Sequence, residues 1–430
     1  MDSKDKQTIV TYHKGVDTIG GTNIEIAYGD AHIFFDLGVV YQPELALENE
    51  EYQTLLDNDL IASLDDFYDE NLKGAPKWKN QYQHSAAFVS HLHLDHTKML
   101  NYIDEKMPIY TSMQTIEILK VLNEKGTFLL PAANHPANYM RQLTPLKMHQ
   151  KVHIGEISVE FYPIDHDADG AVAMFIRTPD KLIVYTGDLR LHGFHSEWTR
   201  KVMADAFECD LLICEGVGVS FLDEPHEDDD SAIESEQELL QRIKKLLKQN
   251  PNAPITFNTY PGNLSRLEEI CKIDLRQVVL TAKRAKLLQE ITGKKQPYYY
   301  GPNEEPIEGL DSKLEIDYQE LLKDHGKYLW QVENNFENLM PQTIYIHSDA
   351  EPLGDFDPAY QKFLDMLAQN EIKFVRLACS GHATAAQLDE IIAAIKPRML
   401  TPIHSFHPEN LNNPFGKRVL MKNGQSLILN

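Results

Sequence analysis

The stretch FVSHLHLDHTKM, residues 88–99, sets three histidines and an aspartate within six positions: His91, His93, Asp95 and His96. Neutral imidazole and carboxylate are ligands for zinc and similar divalent metals. One metal takes three or four ligands, so four donors on a single turn point to two metals that share them and draw further donors from elsewhere. The sequence offers such donors where other strands end: His166 in YPIDHDADG, Asp188 in LIVYTGDLR, His404 in MLTPIHSF and Asp36 in HIFFDLG. Any one of these alone reads as a cap or a surface group. Their joint occurrence with HxHxDH predicts a metal site.

Such donors need elements that end at a common place. TNIEIAYGDAHIFFDLG alternates apolar and polar residues and reads as two strands joined by a turn at Tyr28-Gly29-Asp30, followed by a mostly helical insertion. SAAFVSH, PIYTS, VHIGEISVEFYPIDHD, GAVAMFIRTPDKLIVYTGDLR and CDLLICEG read as strands bounded by Gly or Asp, with TKMLNYID as the start of a helix. From Ser231 the texture changes to αβαβ alternation. SAIESEQELLQRIKKLLKQN carries Leu239, Ile243, Leu246 and Leu247 at helical spacing, and the helix HATAAQLDEIIAAIKP ends the pattern. This predicts a parallel sheet flanked by helices, interrupting a first α/β domain.

The 430 residues suffice for two or three domains. With 42% hydrophobic and 25% charged residues and no 18-residue apolar run, the chain reads as globular, without a membrane span. The polar start MDSKDKQTIVTYHKG lacks a secretory apolar region, so the expected location is cytoplasmic. Four scattered cysteines form no CxxC pair, which argues for free thiols in a reducing compartment. A formal charge of −24 argues against a general nucleic-acid coat, though not against an enzyme whose cationic groups and metals act locally. Much of the acid lies in PELALENEEYQTLLDNDLIASLDDFYDEN and DEPHEDDDSAIESEQE, both read as solvated helix faces or loops.

HxHxDH, with an Asp after FDLG, a downstream His, the GD aspartate and a late His, resembles the ligand series of metallo-β-lactamase-fold hydrolases. Glu215 ending LLICEG, His382 in ACSGHA and His404 in PIH resemble the three extra motifs of the β-CASP branch, and the α/β stretch between Glu215 and His382 lies where the β-CASP domain belongs. Ribonuclease J and its short relatives are the nearest pattern, from Ile19 onward. The resemblance implies an αββα sandwich over 1–216 and 386–430 with an inserted β-CASP domain over 217–385. It implies one divalent metal on His91, His93 and His166, a second on Asp95, His96 and His404, and Asp188 bridging them. Zinc is the expected metal, with manganese or magnesium as alternatives. Asp36 and Glu215 would orient the ligands, and Asp95, Asp188 and His382 would be the catalytic residues. GNLSRL resembles a phosphate-contacting SNxxR loop, with Gly262 in place of its serine, so Asn263 and Arg266 join Ser380, Gly381, His382 and Ala383 as expected phosphate contacts.

The implied reaction is hydrolysis of single-stranded RNA, exo- or endonucleolytic, by hydroxide activated on two metals, with His382 protonating the leaving oxygen. RNA-acting members of the branch carry His at the third extra motif and DNA-acting members Val, so His404 favours RNA over a DNA-directed nuclease. A small-molecule hydrolase is the further alternative. Expected partners are RNA, including 5′-monophosphorylated RNA, and a second copy in a homodimer, with no membrane. The sequence ends 26 residues after His404, so the separate C-terminal domain of the longer enzymes is expected to be absent.

Overall fold

The computed structural model describes residues 6–221, 233–354 and 357–430. The acidic run 223–232 of the second acidic stretch lies outside them. The chain opens with six strands: β1 (Thr8–Lys14), β2 (Asn23–Tyr28), β3 (Ala31–Phe35), β4 (His84–Phe88), β5 (Ile109–Thr111) and β6 (Thr144–Pro145). Five follow: β7 (Lys151–Ile154), β8 (Ile157–Pro163), β9 (Val172–Arg177), β10 (Leu182–Tyr185) and β11 (Leu211–Glu215). Six more are β12 (Ile255–Thr259), β13 (Gln277–Thr281), β14 (Tyr298–Tyr299), β15 (Tyr328–Gln331), β16 (Ile344–Ser348) and β17 (Lys373–Arg376). β18 (Met399–Ile403), β19 (Lys417–Arg418) and β20 (Gln425–Leu429) close the chain.

Two compact units result: Met1–Leu191, His195–His226 and Gly381–Asn430 form the first, and His192–Phe194 with Glu227–Ser380 the second. The first holds two seven-stranded sheets, ordered β20-β1-β2-β3-β4-β5-β6 and β19-β18-β11-β10-β9-β8-β7. Alternation dictates their packing. Thr8–Lys14 buries every second residue, so Val10 and Tyr12 face inward and meet Ile26, Ile33 and Phe88 of the same sheet and Val159, Met174, Ile183 and Ile213 of the other in one apolar layer. The outer face of the second sheet packs Phe175, Val184, Leu212 and Leu400 against Val202 of the helix Ser196–Asp205 and against Leu388, Ile391, Ile392 and Ile395 of the helix Ala385–Ile395. Each such buried aliphatic side chain contributes about 1.5–3 kcal/mol. The first unit is thus an αββα sandwich.

The region after β3 departs from expectation. Residues 38–83 carry only the 3-10 turn Pro43–Leu45 and the short helix Tyr52–Asp57, instead of being mostly helical. Asn58 stops that helix, and Asp59 and Asp66 take left-handed backbone angles (φ 59° and 51°), which suit Asp and Asn but end a helix. TKMLNYID differs too: the helical turn starts earlier, at Leu94, and is followed by a 3-10 turn over Leu100–Tyr102.

The second unit is a six-stranded parallel sheet, β14-β13-β15-β12-β16-β17. Helices Glu236–Gln249, Leu264–Cys271, Ala282–Thr292 and Tyr360–Gln369 alternate with its strands, as the αβαβ texture predicts. Val279, Tyr328, Trp330, Tyr345 and Leu367 belong to its apolar core.

Strand direction positions the site. β10, β11 and β18 run parallel in register, Val184 beside Leu212, and Leu212 beside Leu400. Residues at or just past their carboxyl ends therefore gather on one rim, and those residues include Asp188, Glu215 and His404. In the other sheet β3 and β4 are parallel, with Phe35 beside Phe88, so Asp36 and the HxHxDH turn leave from neighbouring ends.

Candidate metal centre

The HxHxDH turn is clamped before any ligand is considered. The Thr97 hydroxyl donates to the carbonyls of Leu92 (3.0 Å) and His93 (2.8 Å), tying the turn to its own first residues. The Asp95 carbonyl accepts from Gly21 N–H (3.1 Å), and the His96 carbonyl from Leu37 N–H (2.8 Å). Contact with the FDLG loop is so close that a Cβ on Gly38 would lie 1.5 Å from the Asp95 carbonyl oxygen. A Cβ on Gly20, whose φ is 85°, would likewise lie 2.7 Å from Asp95 Cβ. The glycine of FDLG is therefore set by the approach of two backbones.

Two donor groups stand on this frame: His91, His93 and His166, and then Asp95, His96, Asp188 and His404. In the first, His93 Nδ1 is 3.2 Å from His91 Nε2 and 3.2 Å from His166 Nε2. In the second, His96 Nε2 is 3.2 Å from Asp188 Oδ2 and 3.4 Å from Asp95 Oδ2. His404 Nε2 is 3.4 and 3.5 Å from the same two oxygens. Donors about 2.0–2.1 Å from a tetrahedral ion stand about 3.3–3.4 Å apart, so both groups already have the spacing of a coordination shell. Asp188 Oδ2 also lies 3.6 Å from His91 Nε2, next to the first group.

Buried hydrogen bonds set which nitrogen each ring offers. His91 Nδ1 lies 3.0 Å from Ser90 Oγ, which donates to Asp36 Oδ2 (2.8 Å). His96 Nδ1 lies 2.7 Å from the same oxygen, the Tyr185 hydroxyl donates to it as well, and Ser90 N–H donates to Asp36 Oδ1 (2.8 Å). His166 Nδ1 donates to the Gly381 carbonyl (2.7 Å). These contacts fix the rings with Nε2 toward the cluster, as outer hydrogen bonds do at metal sites. His404 differs, because its Nδ1 faces Gly20 N–H at 3.2 Å. Behind His166, Asp165 takes the Arg190 side chain (Nε–Oδ1 3.0 Å) and the His195 N–H (2.8 Å) in a buried clamp between the DHD and GDLR segments.

The donors fit divalent cations on two further counts. Nε2 of His96, Nε2 of His404 and Oδ2 of Asp188 are buried without a hydrogen-bond partner, a costly state for polar atoms aimed at one another. Burial also keeps His91 and His404 below the usual imidazole range and His166 down at about 3, so these rings are neutral, and His91 and His166, whose Nδ1 meets an acceptor, have Nε2 free to ligate. His96 goes the other way. Burial opposes its charge, but Asp188, Asp95 and Asp36 outweigh it and hold its pKa well above normal, so the carboxylates favour positive charge at this spot.

Glu215 ends β11 fully buried. It accepts Leu189 N–H (3.3 Å) and Val217 N–H (3.0 Å), and its Oε1 lies 3.2 Å from His382 Nδ1. Burial works against a charged His382, yet the Glu215 carboxylate outweighs it and pushes the imidazole up to about 10. His382 stands 4.0 Å from Asp188 Oδ2, beside the second donor group.

Two expected phosphate contacts, Arg266 and Ala383, are otherwise engaged. Arg266 is completely buried and all its guanidinium N–H groups are directed into the protein: to both oxygens of Glu236, to Ser348, to Asp349 Oδ2 (2.6 Å) and to the Cys379 carbonyl (3.0 Å). Asn263 is buried and caps its own helix through Oδ1, which accepts Arg266 N–H at 3.0 Å, while its Nδ2 has no hydrogen-bond partner among the described residues. Ala383 donates its N–H to the Leu189 carbonyl (2.6 Å), which takes that donor away from a phosphate. Ser380 is exposed, and its carbonyl lies 2.9 Å from His192 Nε2. Sequence reading also missed Asp167, whose carboxylate stands 3.2 Å from His166 Nε2, as well as Ser90, Tyr185 and Gly20. The only signal for Asp167 was the density of acid in DHDAD.

A model of the β-lactamase superfamily domain matches residues 62–242. The chain is 22% identical over 99% of its length to ribonuclease J of Mycoplasma genitalium, of which it covers 74%, and 22% identical over 91% to ribonuclease J of Mycoplasma pneumoniae, of which it covers 66%. It is also 26% identical, over 44% of the chain and 31% of the relative, to cleavage and polyadenylation specificity factor subunit 3-II of Arabidopsis thaliana. Among solved structures it is similar to a protein of unknown function from Enterococcus faecalis, with a TM-score of 0.94, 49% identity and coverage of 98% of this chain and 100% of that one. Sheet order, donor chemistry and this kinship place the protein among hydrolases of the metallo-β-lactamase fold. Within that class the chain resembles the β-CASP nucleases and is ribonuclease J-like.

Proposed function

We propose that the protein is a two-cation ribonuclease that hydrolyses phosphodiester bonds of single-stranded RNA, with the α/β insertion over 217–385 as its β-CASP domain. The observation that carries the reading is the placement of Asp188 Oδ2 within 3.2–3.6 Å of His96, His404 and His91, donors of both groups. His91, His93 and His166 would hold one cation, and Asp95, His96 and His404 the other, with Asp188 shared; the imidazole-rich set favours zinc. When bound, such a pair polarises a phosphodiester and makes water acidic enough to attack at neutral pH.

The protein's own groups do the rest. Asp188 sets the spacing of the two donor groups through one oxygen. Asp36, through Ser90 and directly, keeps His91 and His96 turned with Nε2 inward. His382, charged at neutral pH and held by Glu215, would donate a proton to the departing 3′-oxygen. The names of the relatives, ribonuclease J above all, support RNA as substrate, and His404 at the third extra motif agrees. A 5′-monophosphorylated end and a homodimer are part of the proposal. So is a cytoplasmic setting, supported by four free cysteines and by the absence, among described residues, of any helix long and apolar enough to cross a membrane.

The test incubates the purified chain with 5′-monophosphorylated, 3′-labelled RNA and with matched DNA, with and without chelator, beside His93→Ala and Asp188→Ala. RNA degradation that chelator and both substitutions abolish is the expected result, and single-nucleotide ladders or discrete fragments tell exo- from endonucleolytic action. Equal RNA degradation by wild type and variants overturns the reading, and preference for DNA overturns its substrate.

A further inference from the structure

Asp167 follows His166 directly, and none of the roles above uses it. Its Oδ1 is buried without a hydrogen-bond partner, although it lies 3.2 Å from His166 Nε2 and 3.6 Å from His93 Nε2. A buried carboxylate oxygen with no donor is costly, so its position calls for a reason.

His93 supplies one. It is Nδ1, not Nε2, that stands 3.2 Å from both other donors of the three-histidine group. A ring that gives Nδ1 to a cation carries its proton on Nε2, and the nitrogen with that proton is the one nearest Asp167. The 3.6 Å separation is about half an ångström beyond hydrogen-bond length, a gap that a small ring tilt closes. Gly381 supplies the second observation. A Cβ there would lie 2.3 Å from Asp167 Oδ1, 2.5 Å from its Cγ and 2.8 Å from Oδ2, so the carboxylate occupies the room that this glycine leaves. The Gly381 carbonyl meanwhile holds His166 Nδ1. One residue thus makes room for the carboxylate and orients a neighbouring ring.

We infer that Asp167 is a positioning carboxylate of the three-histidine site, which accepts the Nε2–H of His93 and so aims His93 Nδ1 at the cation, and that Gly381 is glycine to cradle it. Apart from the shared Asp188, that site's donors are all neutral, so Asp167 also brings negative charge beside it. The inference rests on the two-cation reading above.

The test is a cobalt(II) titration of the metal-stripped full chain, following the visible spectrum and the two binding constants, with circular dichroism as the check on folding. In Asp167→Ala, one binding step weakens at least about tenfold, with an altered spectrum, while the other step keeps its wild-type constant. Asp167→Asn, which retains a carbonyl acceptor at the same place, binds more tightly than Asp167→Ala. Gly381→Ala reproduces the Asp167→Ala loss, and the double variant is no weaker than either single one, since both disable the same contact. Unchanged binding in Asp167→Ala overturns the inference, and so does Asp167→Asn as weak as Asp167→Ala. Gly381→Ala with wild-type binding overturns the cradle. A wild type that fails to bind two cobalt ions refutes the two-cation reading itself, before any variant is made.

Discussion

Arg266 and Glu236 form a bidentate ion pair with both side chains wholly buried, Nε to Oε2 at 2.9 Å and Nη2 to Oε1 at 2.7 Å. Removing one member leaves a buried charge without its partner, which costs about 3–5 kcal/mol. Arg266→Ala is therefore expected to lose that much stability, read as a lower denaturant midpoint in the full chain. A variant with wild-type stability but weakened RNA binding would return Arg266 to a substrate-contacting role.

Asp36 gathers Ser90, His96 and Tyr185 on one carboxylate, and its own backbone is left-handed at φ 57°. Asp36→Asn keeps a residue that tolerates this conformation while removing the charge that holds His96. Metal affinity is expected to fall about 10–100-fold, measured by competition with a chromophoric chelator. Unchanged affinity would show that the rings hold their orientation without it.

Gly38→Ala puts a methyl group onto the Asp95 carbonyl, where backbone rather than a flexible side chain must give way. Bound metal, counted by elemental analysis, is expected to drop from two ions to one per chain, because Asp95 belongs to only one donor group. Retention of two ions would mean that the loop relaxes without moving Asp95.

Glu25 takes His13 Nε2 at 2.8 Å and His32 Nδ1 at 2.5 Å. Burial alone would raise its carboxyl, but the hydrogen bonds from the two histidines outweigh that and bring it to about 2. A depressed carboxyl stabilises the fold fully above its unfolded value, near 4.5, and the contribution disappears as pH falls toward 2. Its size is about 3 kcal/mol. The stability gap between wild type and Glu25→Gln, followed by urea denaturation, should narrow steadily below about pH 4.5. A gap that stays constant down to pH 3 would contradict this account.

The two donor clusters were legible because they are dense and because each member follows a strand that announces itself by its apolar run. Parallel register then brings Asp188, Glu215 and His404 to one rim, a step that sequence can prepare but not complete. Asp167 stayed hidden since three aspartates surround His166 and nothing local says which one faces the rings. Arg266 was misread for the opposite reason. GNLSRL looks the same whether its arginine meets solvent or core, and Glu236 and Asp349, which decide the matter, lie far off in the chain. The stretch after Gly38 is expected to be mostly helical, while Asp59, Asp66 and Asn80 within it take left-handed backbone angles.

β11 pairs with β18 across the whole second unit, and β1 pairs with β20 from the opposite end of the chain. During synthesis, then, β1 and β11 emerge with open edges and wait for partners translated much later, the slowest kind of contact to form. The three-histidine set is complete in the nascent chain early on, whereas the other set waits for His404, at the end of β18. A ribosome that stalls before Met399 would leave a polypeptide with the three-histidine group whole, the second donor group short of His404 and two unprotected sheet edges.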